Sequence, residues 1–295
     1  MQGLGMRRIG NATIEKVEEL CAAGFKPSRM FPRFNQEAFD AQKSWMVPDH
    51  VQAGSDRLVG SLHTWIVKTS RHTILIDTCL GNHKQRHNPA WNNLDTPFLR
   101  RLKACGCAPE SVDFVMCTHL HVDHVGWNTQ LVDGRWVPTF ANAKYLFAKK
   151  EYAHWENERK TKEGVNDGSF DDSVLPIVEA GKAVMIESDA QPDPLLTIAD
   201  YPGHTPGSIA INLKDGGREA CFSGDIMHHP IQVYHPDWSS QFCTDQELSA
   251  KSRRKLLENC VEKNALLCPA HFPGANAGYI KRQGDSFSID WDVVK

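Results

Sequence analysis

The chain has 295 residues, of which 33 are basic and 36 acidic, so its formal net charge is −3. This near-neutral balance gives no sign of the basic surface that nucleic-acid binding requires. No apolar run approaches the roughly 20 residues that span a bilayer, and the first residues lack the apolar stretch of a signal peptide. We therefore expect a globular cytoplasmic protein that binds neither nucleic acid nor membranes, and the sequence leaves a homodimer open.

The nine cysteines predict reduced thiols, because a chain of this length without a signal peptide rarely carries a disulfide framework. Four of them lie in or beside apolar strands, as core thiols do: Cys79, Cys117, Cys221 and Cys268. The unusual number is the 14 histidines, and what matters is whether they cluster.

The first 57 residues form a poorly patterned N-terminal segment. We predict a helix over Ala12–Ala23 that ends at Gly24. Residues 25–57 mix aromatic side chains with prolines and show no sustained period. We predict that this segment is an arm packed on the body of the protein, with a lid over a site as the alternative, and that residues 58–295 form a single domain.

From Leu58 onward, strand and helix patterns alternate. Strands are predicted over 62–68, 73–78, 112–118, 143–148, 183–186, 195–199, 208–213, 219–223 and 265–269. Helices are predicted over 97–104, 149–158, 171–179 and 245–263, with a polar surface insertion at 156–172. Two batches of strands with helices between them predict a layered α/β protein built around paired sheets.

A dense group of metal-ligand side chains follows the most apolar strand, in the sequence Thr118-His-Leu-His-Val-Asp-His124. In extended backbone, side chains two residues apart point to the same side, so His119 and His121 face one point. Asp123 and His124 follow where the chain should turn into a helix. Solvated surface histidines are the alternative, but a loop that closes a buried strand is a common place for a functional site.

Three later segments add further ligand-type residues at predicted strand ends. His204 lies in a Gly-His-Thr-Pro-Gly-Ser turn, Asp225 ends a Phe-Ser-Gly-Asp segment, and His271 ends Cys-Pro-Ala-His. Each segment alone is weak evidence for a metal site, because a single histidine or aspartate at a strand end commonly has a structural role. Together with the first cluster they predict one metal centre.

These motifs resemble those of the metallo-β-lactamase-fold hydrolases. HLHVDH matches that family's HxHxDH motif, and GHTPGS, SGD and PAH match its later ligand positions in order. The resemblance covers roughly Leu58 to the C-terminus. It implies a four-layer αββα sandwich, an α/β fold, with the site at one edge of the two sheets.

The resemblance also assigns roles to residues of this chain. It implies that one metal is held by His119, His121 and His204, a second by Asp123, His124 and His271, and that Asp225 bridges the two. Asp77 matches an acidic position that supports the ligands from behind, with a strand-end cap as the alternative.

The ligand chemistry agrees with that implication. Imidazoles and carboxylates without a thiolate suit zinc, and also manganese, iron or cobalt. Two divalent ions can share a water and lower its pKa toward about 7, which gives hydroxide at neutral pH. We therefore predict a dinuclear metal-dependent hydrolase that acts by attack of a metal-bridging hydroxide.

The substrate is predicted to be a small ester, with a lactone as the leading candidate, because the motif order resembles the lactonase and methyl parathion hydrolase branches. Organophosphate triesters and carboxylic esters or thioesters are alternatives within the fold. A di-iron oxygen or nitric-oxide reductase is disfavoured, since that branch carries glutamate at the position of His121. A metal-binding protein without catalysis is the remaining class, but such relatives lose ligands that this chain keeps.

Two residues are predicted to move protons. Asp123 could relay the proton of the attacking water, because one of its oxygens can stay off the metal. Lactonases of this family carry a tyrosine three residues after the bridging aspartate, and His228 stands there in this chain. His228 is a candidate general acid if it points into the cleft, with a packed or solvated histidine as the alternative.

Overall fold

The computed structural model describes residues 5–293 and contains two large β-sheets and a small hairpin. The first sheet has the order β1-β2-β3-β4-β5-β8-β9, formed by Arg7–Ile9, Ala12–Ala23, Val59–Lys68, Thr73–Ile76, Phe114–Met116, Lys144–Ala148 and Ala183–Ile186. The second runs consecutively from β10 to β15: Leu196–Asp200, Ile209–Asp215, Arg218–Gly224, Leu266–Pro269, Gly278–Gln283 and Ser286–Trp291. The hairpin pairs β6 (Thr129–Val132) with β7 (Arg135–Pro138).

Helices cover the outer faces of both sheets and the connections between strands. In chain order, α1 to α9 are Pro27–Met30, Gln36–Asp40, Lys43–Met46, Phe98–Ala104, Val122–Val125, Lys149–Thr161, Leu175–Glu179, Ile231–Tyr234 and Gln246–Lys263. Short 3₁₀ turns lie at Pro109–Ser111, Gly126–Asn128 and Val165–Gly168, and a π-helical turn spans Phe170–Val174.

Three hydrophobic clusters show that the layers follow the order helix, sheet, sheet, helix. Trp65 of β3 and Phe222 of β12 belong to the cluster between the two sheets. Leu102 of α4 and Trp155 of α6 pack on the outer face of the first sheet. Leu257 of α9 packs on the outer face of the second sheet. The predicted four-layer αββα sandwich is therefore confirmed.

The strands that lead into the predicted site are buried and parallel. β4 pairs with β5 in parallel, and β12 pairs with β13 in parallel. Because the carboxyl ends of parallel neighbours lie at one edge of a sheet, the residues that follow β4, β5, β12 and β13 meet there. A hydrogen bond from the Ile209 N–H to the Thr118 carbonyl, 2.9 Å long, joins the two sheets at that edge.

The helix predicted over Ala12–Ala23 is wrong, because these residues form β2. Glutamate, lysine and alanine favour a helix in isolation, yet Ile14 and Val17 are buried in the sheet. β2 pairs with β1 on one side and along its length with β3 on the other. This pairing outweighs the local helix preference, as is common for strand assignments. Part of the predicted N-terminal arm is therefore a strand of the sandwich.

Residues 25–57 contain α1 to α3 and pack on the body. Phe31, Phe39 and Met46 are fully buried in a cluster with Ile231 and Trp238 from the segment after β12. The polar surface insertion predicted at 156–172 is only partly correct, since α6 extends to Thr161 and the chain then folds back with Phe170 buried.

All nine cysteines are free thiols, as predicted, and the four assigned to the core are buried. Within the described residues, no helix combines the length and apolar character needed to cross a membrane.

Candidate metal centre

Three ring nitrogens converge at the shared edge of the sheets. His121 Nδ1 lies 3.1 Å from His119 Nε2 and 2.8 Å from His204 Nε2, and these two Nε2 atoms are 3.1 Å apart. His119 and His121 come from the loop after β5, and His204 from the turn between β10 and β11. We call these residues the three-histidine group.

Asp123, His124 and His271 form a second group beside it, which we call the Asp123 group. The Asp123 oxygens lie 3.7 Å from His124 Nε2 and 3.6 Å from His271 Nε2. Asp225 stands between the groups: its Oδ2 lies 3.4 Å from His204 Nε2, while its Oδ1 lies 2.8 Å from His271 Nε2 and 3.2 Å from His124 Nε2. All seven residues predicted as ligands are thus brought together.

The donor set fits divalent metal ions. Zinc–nitrogen bonds of about 2.0–2.1 Å in a tetrahedral site place neighbouring ligand atoms roughly 3.4 Å apart. The separations within the two groups, from 2.8 to 3.7 Å, bracket that spacing. Within residues 5–293, moreover, His124 Nε2 and Asp225 Oδ1 are buried and have no hydrogen-bond partner, and a bound cation would provide one.

Asp77 forms hydrogen bonds behind the candidate ligands, in the position that its predicted supporting role requires. Its Oδ2 accepts hydrogen bonds from His124 Nδ1 at 2.9 Å and from the Thr118 hydroxyl at 2.8 Å. The Thr118 hydroxyl in turn accepts from His119 Nδ1 at 3.2 Å. These bonds select the ring tautomer that leaves Nε2 free to bind a metal.

In His271 and His204, the ring nitrogen Nδ1 faces away from the centre and lies near a different kind of acceptor. His271 Nδ1 donates to the Ser61 carbonyl at 3.1 Å. His204 Nδ1 lies 3.6 Å from Cys243 Sγ, a much softer acceptor. The two groups are therefore supported by chemically different contacts.

Burial sets the protonation state of the three-histidine group, whereas neighbouring charges set that of His124 and Asp225. Burial lowers the pKa of His119 and His204 well below the usual histidine value, so both are neutral at pH 7. Burial also opposes charge on His124, but Asp225, Asp123 and Asp77 outweigh it and raise the pKa of His124 well above that value. Burial would raise the pKa of Asp225, yet His271 and His124 hold it well below its usual range. Asp225 is therefore a carboxylate, available as a ligand.

His228 points into the site. Its Nε2 lies 3.3 Å from Asp225 Oδ2, and its ring centroid is 4.8 Å from that of His204. The side chain is buried, and neither ring nitrogen has a hydrogen-bond partner in the part of the chain that the structure describes. Of the two alternatives left by the sequence, a solvated histidine is therefore excluded, and the free ring nitrogens leave His228 able to contact a ligand.

A cleft of about 1070 Å³ opens onto both groups. Its walls are mainly apolar and include Leu20, Ala22, Phe25, Met30, Leu62, Trp91 and Phe242. Phe25 and Phe242 meet edge to face with centroids 5.3 Å apart, and each is about two-fifths exposed. The wall from β2 was not expected, because that segment was predicted to be helical.

Two polar residues that sequence reasoning missed hold the ligand-bearing loop. Glu151 Oε1 accepts from the Leu120 N–H at 3.0 Å. Asn166 donates from Nδ2 to the Leu120 carbonyl at 2.5 Å and accepts from the Val122 N–H at 3.1 Å. Neither residue belongs to a recognisable motif, so no signal in the sequence distinguished them from surface residues.

Comparison with known proteins supports this architecture. The sequence model of the metallo-beta-lactamase superfamily matches residues 58–271. A probable metallo-hydrolase of Methanocaldococcus jannaschii is 26% identical over 123 residues, 42% of this chain and 43% of that protein, so the chain spans less than half of this relative. An N-acyl homoserine lactonase of a Bacillus species is 24% identical over 189 residues, 57% of this chain and 67% of that protein.

The solved structure of AidC, described as a dizinc quorum-quenching lactonase, shares the fold with a TM-score of 0.76 at 19% identity, covering 98% of both chains. The family match extends over most of the chain and includes every residue of both ligand groups. The protein is therefore a member of the metallo-beta-lactamase superfamily.

Proposed function

We propose that this protein hydrolyses a small ester-like substrate, with a lactone as the leading candidate, at a centre of two divalent metal ions. Zinc is the expected metal, with manganese, iron or cobalt as alternatives. The observation that carries the proposal is the position of Asp225, whose two oxygens face different histidine groups at the floor of an apolar cleft. A carboxylate so placed can bridge two ions, which lie about 3.5–4 Å apart in two-metal hydrolytic sites.

Bound by these residues, two divalent ions would supply hydroxide at neutral pH and polarise the substrate carbonyl. Asp123 lies beside His124 and His271, so one of its oxygens can bind while the other accepts the proton of the attacking water. His228 lies on the Oδ2 side of Asp225, from which the neutral ring can donate a hydrogen bond to the substrate oxygen and the imidazolium form can give a proton to the leaving alkoxide. A positioned acid contributes about 10²–10⁴-fold to such a step.

One finding supports a lactone over other esters, and a second supports an apolar substituent on it. The relatives include a Bacillus protein named as an N-acyl homoserine lactonase and the dizinc lactonase AidC. The apolar cleft walls also suit an acyl or alkyl substituent, since burying apolar surface contributes roughly 25 cal/mol per Å².

The test is a substrate panel on protein loaded with two equivalents of zinc. The panel contains a γ-lactone series, an aryl ester, a thioester and a phosphotriester, each measured before and after chelation. We expect the highest kcat/KM for a lactone, loss of all turnover on chelation, and recovery when zinc is restored.

Two controls keep the outcomes separate. His121→Ala removes a ligand and should abolish turnover, whereas His154→Ala changes a histidine on α6 that is outside both ligand groups and should not. A higher kcat/KM for the phosphotriester or the thioester would replace the lactone as substrate. Absence of metal-dependent hydrolysis of every substrate would overturn the hydrolase proposal.

The proposal includes a preference for a negatively charged substituent. Lys26, Arg29 and Arg57 are exposed cations that line the cleft, and none of them forms an ion pair within residues 5–293. An anionic group on the substrate, away from the reacting carbonyl, would form ion pairs with these cations. Two aryl esters of equal chain length, one ending in a carboxylate, test this. We expect a lower KM for the acid, a difference that Arg29→Gln reduces. Equal KM values for the two esters would refute it.

A further inference from the structure

Glu151 is a buried carboxylate in the first turn of α6, outside both ligand groups. Its exposed fraction is 0%, and no cation pairs with it within the described part of the chain. Burying a charge without a cationic partner is costly unless several hydrogen bonds satisfy it. The hydrogen bonds that compensate this cost show which segments of the chain Glu151 connects.

Four donors surround the carboxylate, and three belong to the segments that carry metal-ligand residues. Oε1 accepts from the Leu120 N–H at 3.0 Å and from Trp155 Nε1 at 2.7 Å. Oε2 accepts from the Thr205 hydroxyl at 2.7 Å and from the Gly207 N–H at 3.0 Å. Leu120 lies between His119 and His121, and Thr205 follows His204. One carboxylate thus links the loop after β5 to the turn between β10 and β11.

Close contact between the turn and α6 supports the same conclusion independently. A Cβ added to Gly207 would lie 2.3 Å from the Glu151 backbone nitrogen, so only glycine allows the turn to approach this helix. A Cβ on Gly203 would lie 2.2 Å from the Ser249 backbone nitrogen in α9. The turn that carries His204 is therefore wedged between a helix of each outer layer.

Glu151 also acts on the loop after β5 indirectly, because it accepts a hydrogen bond from the indole of Trp155. The Trp155 ring lies 5.2 Å from the His121 ring at an interplanar angle of 62°. The bond from Trp155 Nε1 to Glu151 thus fixes a ring that packs against His121.

The Asp123 group is supported by other residues. His124 donates to Asp77, and His271 donates to the Ser61 carbonyl. Glu151 makes no hydrogen bond to Asp123, His124 or His271, so its loss should affect the two groups unequally.

We propose that Glu151 is a positioning residue for the three-histidine group, setting the separation of His204 from His119 and His121. Its removal lowers the metal affinity of that group and leaves the affinity of the Asp123 group unchanged. The inference rests on the proposed function only in that both groups bind a metal.

The experiment measures metal affinity in proteins that keep one group each. His271→Ala disables the Asp123 group, and His204→Ala disables the three-histidine group. Zinc affinity is measured by chelator competition, with and without Glu151→Gln in each background. Removal of a residue that supports metal ligands typically costs 10–100-fold in affinity. We expect a loss of that size in the His271→Ala protein and no change in the His204→Ala protein.

Glu19→Gln is the matched control. Glu19 is also a buried carboxylate that accepts from a backbone N–H, an indole and a threonine hydroxyl, here of Leu80, Trp127 and Thr96. Its hydrogen bonds reach neither the loop residue Leu120 nor the turn that carries His204. We expect a comparable fall in Tm for both glutamine variants but no loss of zinc affinity in the three-histidine group for Glu19→Gln. If Glu151→Gln fails to fold, Thr205→Val removes one of the four donors and should cause a smaller loss in the same group.

Equal affinity losses in the two single-group backgrounds, or none in the His271→Ala background, would overturn the inference. The outcomes for the proposed function are distinct. If zinc affinities follow the expected pattern but no ester is hydrolysed, the positioning role stands and the hydrolase proposal fails. If esters are hydrolysed and Glu151→Gln binds zinc normally in the His271→Ala protein, the hydrolase proposal stands and the positioning role fails.

Discussion

The two groups of the candidate metal centre share Asp225 but are held in place in different ways. In the Asp123 group, the rings of His124 and His271 donate directly to a carboxylate and to a backbone carbonyl at the sheet edges. In the three-histidine group, His119 and His204 meet a hydroxyl and a thiol, and Glu151 binds the backbone around the ligands. The first arrangement orients rings, whereas the second sets the distance between two loops.

This difference predicts which changes each group tolerates. Where each ring has its own hydrogen-bond acceptor, removal of one acceptor should disturb one candidate ligand. Where a single residue sets the distance between two loops, its removal should displace all the candidate ligands on those loops. Because Asp225 lies beside both groups, it is the one candidate ligand whose loss should weaken both of them.

Asp225→Ala should have the largest effect. We expect no detectable turnover and weaker binding of both metal ions, because each group loses a carboxylate oxygen. Elemental analysis after dialysis against a weak chelator measures the metal content. His121→Ala is the comparison, since it should abolish turnover but weaken only one site. Retention of two metals with a near-normal rate in Asp225→Ala would contradict the bridging assignment.

His228→Ala should have the second-largest effect, and it tests whether the histidine beside Asp225 Oδ2 acts as an acid. We expect kcat to fall about 10²–10⁴-fold for a substrate with an alkoxide leaving group, with little loss for an activated phenolate and unchanged metal content. Steady-state kinetics on a matched pair of esters measures this. Equal losses for both esters would indicate carbonyl polarisation or pocket shape, and no loss would remove His228 from the mechanism.

Much of this centre could be predicted from the sequence, because its ligands are concentrated at strand ends. His119 to His124 fall within six residues, and the spacing itself places two imidazoles on one side. The layer order followed from the alternation of strand and helix patterns together with the family resemblance.

The residues that support and surround the ligands could not be predicted, for physical reasons. β2 has a helix-favouring composition, and its pairing with β1 and β3 makes it a strand, so the cleft wall at Leu20 and Ala22 was missed. A glutamate in the first turn of a helix is usually an exposed residue that favours the helix dipole. Gly207 lets a distant turn cover Glu151, and a contact 56 residues away leaves no local pattern.

Asp77→Asn should have an intermediate effect and is the counterpart of Glu151→Gln. An asparagine can accept from His124 through only one oxygen and offers no charge to the imidazole. We expect a 10–100-fold loss of metal affinity, larger for the Asp123 group than for the three-histidine group. The bond from Thr118 to Asp77 passes part of the effect to His119. The single-group proteins His204→Ala and His271→Ala allow both affinities to be measured. A larger loss in the three-histidine group would reverse the assignment of Asp77.

Cys243→Ala should have the smallest effect and probes the weakest contact of the centre. At 3.6 Å from His204 Nδ1, the thiol is a poor acceptor, and burial raises its pKa, so it is a neutral thiol at pH 7. Leaving the buried ring N–H without a partner costs about 1–3 kcal/mol, and loss of a weak bond belongs at the lower end of that range. We therefore expect roughly a fivefold loss of zinc affinity in the three-histidine group and none in the Asp123 group, measured by chelator competition. Cys221→Ala, which changes a buried thiol in the hydrophobic cluster that contains Leu257, is the control. A loss as large as that of Asp77→Asn would mean that His204 depends on its own acceptor, and that the two groups are held in the same way.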